Sequence, residues 1–341
     1  MNFLRKILFP FAILYGLITQ MRNFFFDKGL LKSSVFDVPV IAVGNLSVGG
    51  TGKTPQIEYL IRLLSADYKI ATLSRGYKRK SKGFILADEN ADAEIIGDEP
   101  FQFYRKFPNI QVAVDANRKN GIEQLLAQQQ KPDVILLDDA FQHRKVRAGF
   151  YILLTAYGDL YADDFILPTG NLRESRCGAK RANVVVVTKC PANLSEIAQN
   201  KIATKLQLKP QQQLFFTSIA YDDQVYAANQ SLEISQVKNI QKLLLAGIAK
   251  PKSFFAYLQR ENDVIMEFPD HHHFSDNDIN TIKVKAQDKI IITTEKDFVR
   301  LSSQIDSNQL FYLPIKSAFI SDGENFDKTI KEYVGKSTRN G

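Results

Sequence analysis

The stretch that most constrains the fold is VIAVGNLSVGGTGKTP, Val40 to Pro55. The apolar run 38–43 reads as a buried strand. It breaks into the glycine-rich turn Ser47-Val48-Gly49-Gly50-Thr51-Gly52, followed by Lys53 and Thr54. Ile57, Leu60, Ile61 and Leu64 then recur at helical spacing. Strand, glycine loop and helix in that order are the context of a phosphate-binding P-loop. Glycines let backbone N–H groups converge on a phosphate, and the helix adds its unpaired N–H groups and the positive end of its dipole. Residues 47–54 are therefore expected to bind a nucleotide, with Lys53 at the β- and γ-phosphates and the Thr54 hydroxyl at Mg²⁺. Ser47 occupies the place where the usual pattern has its first glycine. A plain surface turn is the competing reading.

A chain of 341 residues has room for two domains. Its two cysteines, Cys177 and Cys190, offer neither a disulfide framework nor metal-ligand spacing, so a reducing cytoplasm is the default. A net charge of +7 suits nucleic acid, anionic lipid or a phosphorylated substrate. No RNP aromatics, zinc finger or helix-turn-helix signal is present, so nucleic acid is not expected, and no obligate protein partner is evident. Arg5 and Lys6 on one side and Arg22, Lys28 and Lys32 on the other flank the uncharged stretch Ile7 to Gln20. That stretch is shorter than the ~20 residues of a spanning helix, and Pro10 and Gly16 interrupt it. It reads as a helix lying on a membrane surface, with Phe24 to Phe26 strengthening the anchor. Packing on the protein's own core is the alternative.

Further along, Lys69 to Leu73 forms a short strand that ends in Ser74-Arg75-Gly76-Tyr77-Lys78-Arg79. Such strand ends are where α/β sheets place ligands, so Arg75, Lys78 and Arg79 are candidate phosphate or substrate contacts. A solvated loop is the alternative. Gly97-Asp98-Glu99-Pro100 opens a helical stretch, which suits either helix capping or a general base facing the nucleotide. Val134 to Leu137 followed by Asp138 and Asp139 is a Walker B pattern, in which a buried strand delivers carboxylates to Mg²⁺. Arg173, in the segment 167–175, either neutralises phosphate or pairs with Glu174. Strands alternating with helices predict a mostly parallel sheet with helices on both faces. The pattern changes after about residue 190 into a smaller α/β domain. The predicted division is 1–32 for the membrane-associating helix, 33–212 for the P-loop domain and 213–341 for the C-terminal domain. All four histidines lie within 141–144 and 270–274. Neighbouring side chains diverge on extended backbone, so 271–273 suit a catalytic or ligand-binding role better than a structural metal.

Taken together, VGNLSVGGTGKTP, LSRGYKRK, GDEP, LDDAFQHRK, LPTGNLRES, LLAGIAKPKSFF, FPDHHHF and TTEKDFVRL resemble the tetraacyldisaccharide 4′-kinase family, the membrane-associated lipid A 4′-kinases of Gram-negative bacteria. The resemblance implies transfer of the ATP γ-phosphoryl group to the 4′-hydroxyl of tetraacyldisaccharide 1-phosphate. It also implies a location at the cytoplasmic face of the inner membrane, peripheral or monotopic. ATP and Mg²⁺ are the implied cofactors, and the lipid acceptor and the membrane surface the implied partners. By the same resemblance Asp98 matches the proposed general base and His271 its partner, with His272 as the alternative. Asp138 and Asp139 match the acidic pair near the metal, and Arg173 and Glu174 match an Arg-Glu loop. The basic 77–82 loop and His143 are placed on the acceptor side. Ala140 departs from the family's usual glycine. A P-loop GTPase switch would carry a guanine-reading N-K-x-D, which neither Thr188-Lys189-Cys190-Pro191 nor Thr294-Glu295-Lys296-Asp297 supplies. A soluble small-molecule kinase is disfavoured by the apolar N-terminus.

Overall fold

The apolar runs read from the sequence become the centre of a nine-stranded sheet in the computed structural model, which describes residues 5, 7–249, 251–270 and 272–339. The chain forms two compact units, 1–219 with 317–341 and 220–316. The first sheet is built from β1 (Val40–Asn45), β2 (Ile70–Ser74), β3 (Ile85–Leu86), β4 (Gln111–Val114), β5 (Val134–Asp138), β6 (Phe150–Ala156), β7 (Val184–Cys190), β8 (Gln213–Tyr221) and β15 (Ile315–Phe319). Its order is β15-β8-β7-β6-β1-β5-β2-β4-β3. Pairing from β4 through to β8 is parallel, and β3 joins antiparallel. β1, β2 and β5 are buried along their whole length, which is why they are apolar runs and not alternating ones.

The chain leaves β1 to build β2, β4 and β5 on one side, then returns to lay β6 on the other. The strand order therefore turns at β1, and the carboxyl ends of β1 and β5 open onto the crevice where such sheets bind ligands. One face of the sheet packs on the helix Lys53–Leu64 (α2) and on the C-terminal helix Gly323–Arg339 (α4) through Ile57, Leu60, Ile61, Phe326, Ile330 and Val334, all fully buried. Between them in sequence, α3 (Asp98–Lys106) adds Phe103 to the same core. Tyr333 secures the C-terminal helix, its hydroxyl bonding the N and O of Val40 at 3.2 Å each. The predicted 212/213 boundary differs from this arrangement. β8 continues the first sheet, and the final strand and helix return to it because their apolar faces complete its core.

The N-terminal helix α1 (Phe9–Asp27) places Pro10 in its first turn, where a missing N–H costs nothing. Ala12, Gly16 and Thr19 are buried, while Phe11, Leu14, Leu17, Ile18 and Met21 are exposed. Among the described residues no helix is long and apolar enough to cross a membrane. The second unit holds a six-stranded sheet from β9 (Gln224–Tyr226), β10 (Ser231–Glu233), β11 (Lys242–Ala246), β12 (Val264–Glu267), β13 (Ile290–Thr294) and β14 (Leu310–Leu313). Their order is β10-β9-β14-β13-β11-β12, parallel from β12 to β14.

Candidate active site

The P-loop turns where glycine is required. Gly49 at φ 118° and Gly52 at φ 81° sit in the left-handed half of the map that other residues rarely enter. Ser47 has no such φ, and its backbone bridges to Leu172, so a serine fits there without strain. Ala140 is likewise free of the requirement: the positive φ falls on Asp139, at 47°, a residue type that tolerates it. The end of β7 braces the loop. Thr188 Oγ1 donates to the Thr51 carbonyl at 2.8 Å, and Lys189 Nζ to that of Gly50 at 2.6 Å.

The two aspartates at the end of β5 have different environments. Asp138 is buried; its Oδ2 accepts from Ser74 Oγ at 3.3 Å, while Oδ1 is buried with no hydrogen-bond partner. Burial, then the charge of Glu99, push its carboxyl up to about 7 against the pull of Lys53. Asp139 lies 3.5 Å from Lys53 Nζ and 3.0 Å from Arg173 Nη1 through each oxygen. Burial pushes it up too, but Lys53 and Arg173 outweigh burial and hold it below its ordinary value. An orphaned buried carboxylate oxygen beside a second carboxylate, with Thr54 at the start of α2, is the hard-oxygen set that Mg²⁺ takes.

Sequence reasoning missed the groups that hold this arrangement. Arg118 is buried and donates to the carbonyls of Asp115 at 2.9 Å and Asp138 at 3.2 Å; desolvation lowers it to about 10. Gln142 Nε2 donates to the Asn45 carbonyl at 2.8 Å and to Glu174 Oε1 at 3.1 Å. Asn45 Oδ1 stands 3.4 Å from Lys53 Nζ. A polar residue closing a buried strand was the available signal for Asn45. Arg118 carried none, because its partners come from two other strand ends.

Glu174, a candidate substrate contact from the Arg-Glu loop, is fully buried and chelated by Arg181 at 2.7 and 3.0 Å, with Asn23 of α1 at 2.6 Å. A carboxylate so enclosed positions the Arg173 loop and has no face left for a ligand. Tyr15 of α1 adds a hydrogen bond to the Arg173 carbonyl at 3.0 Å. The Arg79 guanidinium donates to the carbonyls of Val114 at 3.3 Å and Gly83 at 2.5 Å.

Asp98 is the first residue of α3, half-buried, and the next residue, Glu99, is close enough to raise Asp138. The loop therefore faces the acidic pair. Arg75 is exposed and its charge acts on Arg118 and His143, while Lys78 at φ 61° lies over the Tyr77 ring. Burial, then Arg118, lower His143 to about 4, and its Nε2 is buried without a partner. His271 lies outside the described residues. His272, in the second unit, is engaged with the helix cap there: Nε2 is 3.1 Å from Asp278 Oδ2 and the ring stacks on Phe268 at 4.9 Å. Among the described residues no group of three or more His, Cys, Asp and Glu side chains is arranged to hold a metal ion.

The family model for tetraacyldisaccharide-1-P 4′-kinase matches residues 4–335. The tetraacyldisaccharide 4′-kinases of Flavobacterium johnsoniae and Flavobacterium psychrophilum are 70% and 68% identical, over 98% and 100% of both chains. That of Bacteroides thetaiotaomicron is 45% identical over 99% of this chain and 95% of its own. The crystal structure of LpxK from Aquifex aeolicus in complex with ATP superposes with a TM-score of 0.80 at 31% identity, covering 97% of this chain and 99% of that one. Sequence and fold agree along nearly the whole length, and the chain belongs to the tetraacyldisaccharide 4′-kinase family.

Proposed function

We propose that the chain transfers the γ-phosphoryl group of ATP to the 4′-hydroxyl of tetraacyldisaccharide 1-phosphate, a step of lipid A biosynthesis, with the roles divided as follows. The observation that carries the reading is the family match across residues 4–335, on a chain whose P-loop lysine and paired aspartates meet at one sheet end. Phosphoryl transfer needs positioning and charge neutralisation more than covalent chemistry. The amides of 47–52 and Lys53 hold the β- and γ-phosphates. Thr54, Asp138 and Asp139 would hold Mg²⁺, which supplies charge neutralisation on the phosphate oxygens when bound. Arg173 keeps Asp139 anionic and aimed. Asp98 accepts the proton of the attacking hydroxyl. Arg75 and Lys78 stand on the acceptor side and suit an anionic 1-phosphate.

The exposed apolar face of α1 and its flanking basic residues fit the cytoplasmic surface of an anionic membrane, peripheral or monotopic. Thin-layer analysis of labelled lipid after incubation with γ-labelled ATP, Mg²⁺ and tetraacyldisaccharide 1-phosphate tests the activity. A labelled bisphosphorylated lipid is expected, and its absence from a folded enzyme refutes the reading.

A further inference from the structure

Glu58 lies in the middle of the P-loop helix α2, and its carboxylate is buried, with the side chain 1% exposed. Its Oε2 accepts from Arg62 Nη2 at 2.8 Å, one turn further along the same helix, and from Lys106 Nζ at 2.7 Å. Its Oε1 accepts from Gln102 Nε2 at 2.9 Å. Gln102 and Lys106 both belong to α3, so two successive turns of α3 close on one carboxylate of α2. The same helices also meet through apolar groups. Phe103 packs in the core with Ile57, Leu60 and Ile61, and the Arg62 guanidinium lies over the Phe107 ring at 5.3 Å. Apolar burial is non-directional, whereas hydrogen bonds have narrow geometry. A buried carboxylate is costly unless it is paired and hydrogen-bonded, so its presence at this contact calls for a role beyond cohesion.

The spacing supplies that role. Residues four apart share a helix face. Thr54, Glu58 and Arg62 form one such row on α2, and Asp98, Gln102 and Lys106 form another on α3. α2 leaves the carboxyl end of β1, and α3 leads through 107–110 into the amino end of β4, which runs parallel to β1 in the same sheet. The two helices therefore run the same way. One turn from the Glu58–Gln102 contact towards the N-termini, the rows reach Thr54 on α2 and Asp98 on α3. The charge of Glu99, which raises the Asp138 carboxyl, places that end of α3 at the acidic pair. We propose that Glu58 is a positioning residue for phosphoryl transfer: its bonds to Gln102 and Lys106 fix the register of α3 on α2, and so hold Asp98 level with Thr54 at the phosphate loop. The assignment rests on the reading of Asp98 as the general base.

A double-mutant cycle on kcat tests it, with the full-length enzyme turning over ATP, Mg²⁺ and tetraacyldisaccharide 1-phosphate in mixed micelles. Glu58→Ala should lower kcat by roughly 10–10²-fold, the scale of a misplacement of up to ~1 Å at the reacting centre. KM for ATP should stay within about twofold, because the substitution removes no group that holds the nucleotide. In an Asp98→Ala background the same substitution should change kcat by less than about twofold, since the group it positions is gone. Should Glu58→Ala fail to fold, Lys106→Ala carries the same cycle from the outer end of the contact, where the lysine is 16% exposed. An equal loss in both backgrounds overturns the positioning role, because a general loosening of the fold does not depend on Asp98. No loss in either background overturns it as well. Near-normal turnover of Asp98→Ala alone instead refutes the general base, and with it the group through which Glu58 acts. Absence of labelled lipid from the folded wild type refutes the kinase reading itself.

Discussion

Two adjacent aspartates, Asp138 and Asp139, stand at one strand end with opposite shifts, one held anionic and the other held near its titration point. The difference comes from partners: Lys53 and Arg173 surround Asp139, whereas Asp138 has a hydroxyl and an orphaned oxygen. Raised from 3.8 to about 7 in the fold, Asp138 favours folding below about pH 4, and that contribution is lost as pH rises to about 7. In chelator, Asp138→Asn should therefore flatten the decline in thermal midpoint between those pH values. Adding Mg²⁺ at pH 8 should raise the wild-type midpoint and leave the variant's nearly unchanged. Parallel pH profiles for the two proteins would refute the assignment. Asp98 carries a kinetic prediction. As general base its removal should cost at least ~10²-fold in kcat at saturating substrate, and near-normal turnover of Asp98→Ala would exclude it from that role. The P-loop lysine and these three acids were legible in the sequence because local pattern marks them. Arg118 was not, because its meaning lies in carbonyls from two strand ends that only the folded sheet brings together.

At the scale of elements, α1, the P-loop strand, the segment after β5 and the 167–181 segment meet on the Glu174 carboxylate. Asn23 reaches it across 151 residues, and Gln142 links it to the end of β1 across 97. Contacts that distant leave no periodic trace, so the sequence showed Glu174 only as the neighbour of a useful arginine. The structure makes it a joint whose charge is balanced by Arg181. Glu174→Ala leaves that guanidinium without its carboxylate and takes one acceptor from each of the Asn23 and Gln142 amides, a loss of about 3–5 kcal/mol. Urea unfolding should show a lower midpoint with an unchanged slope. Glu174→Gln, which keeps the shape and one acceptor oxygen, should fall between. A midpoint within error of wild type for Glu174→Ala would show that the joint does not bear on stability. The same local pattern that concealed this joint did reveal the strands themselves: the continuous apolar runs at 40–43, 134–137 and 184–187 are strands buried on both faces.

For the molecule as a whole, the class was legible and the division was not. Alternating strands and helices predicted a mostly parallel sheet, and the sheet has that form. The last 25 residues read as the end of a second domain because they follow it in sequence. Nothing local marks Phe326, Ile330 and Val334 as belonging to a core more than a hundred residues upstream, yet all three are fully buried there. Burying each contributes ~1.5–3 kcal/mol, and together that is comparable with the ~5–15 kcal/mol that holds a domain folded. The second unit is thus an insertion in the sequence of the first, with β8 leading out and β15 leading back as neighbours in one sheet. A chain of residues 1–219 joined to 317–341 through a short flexible linker should unfold cooperatively, because both edges of the insertion lie side by side. Residues 1–219 alone should give a broad or absent transition, and the span 33–212 should do no better. Calorimetry of the three separates the alternatives: a cooperative transition in 1–219 alone would mean that the C-terminal helix covers a core already complete without it.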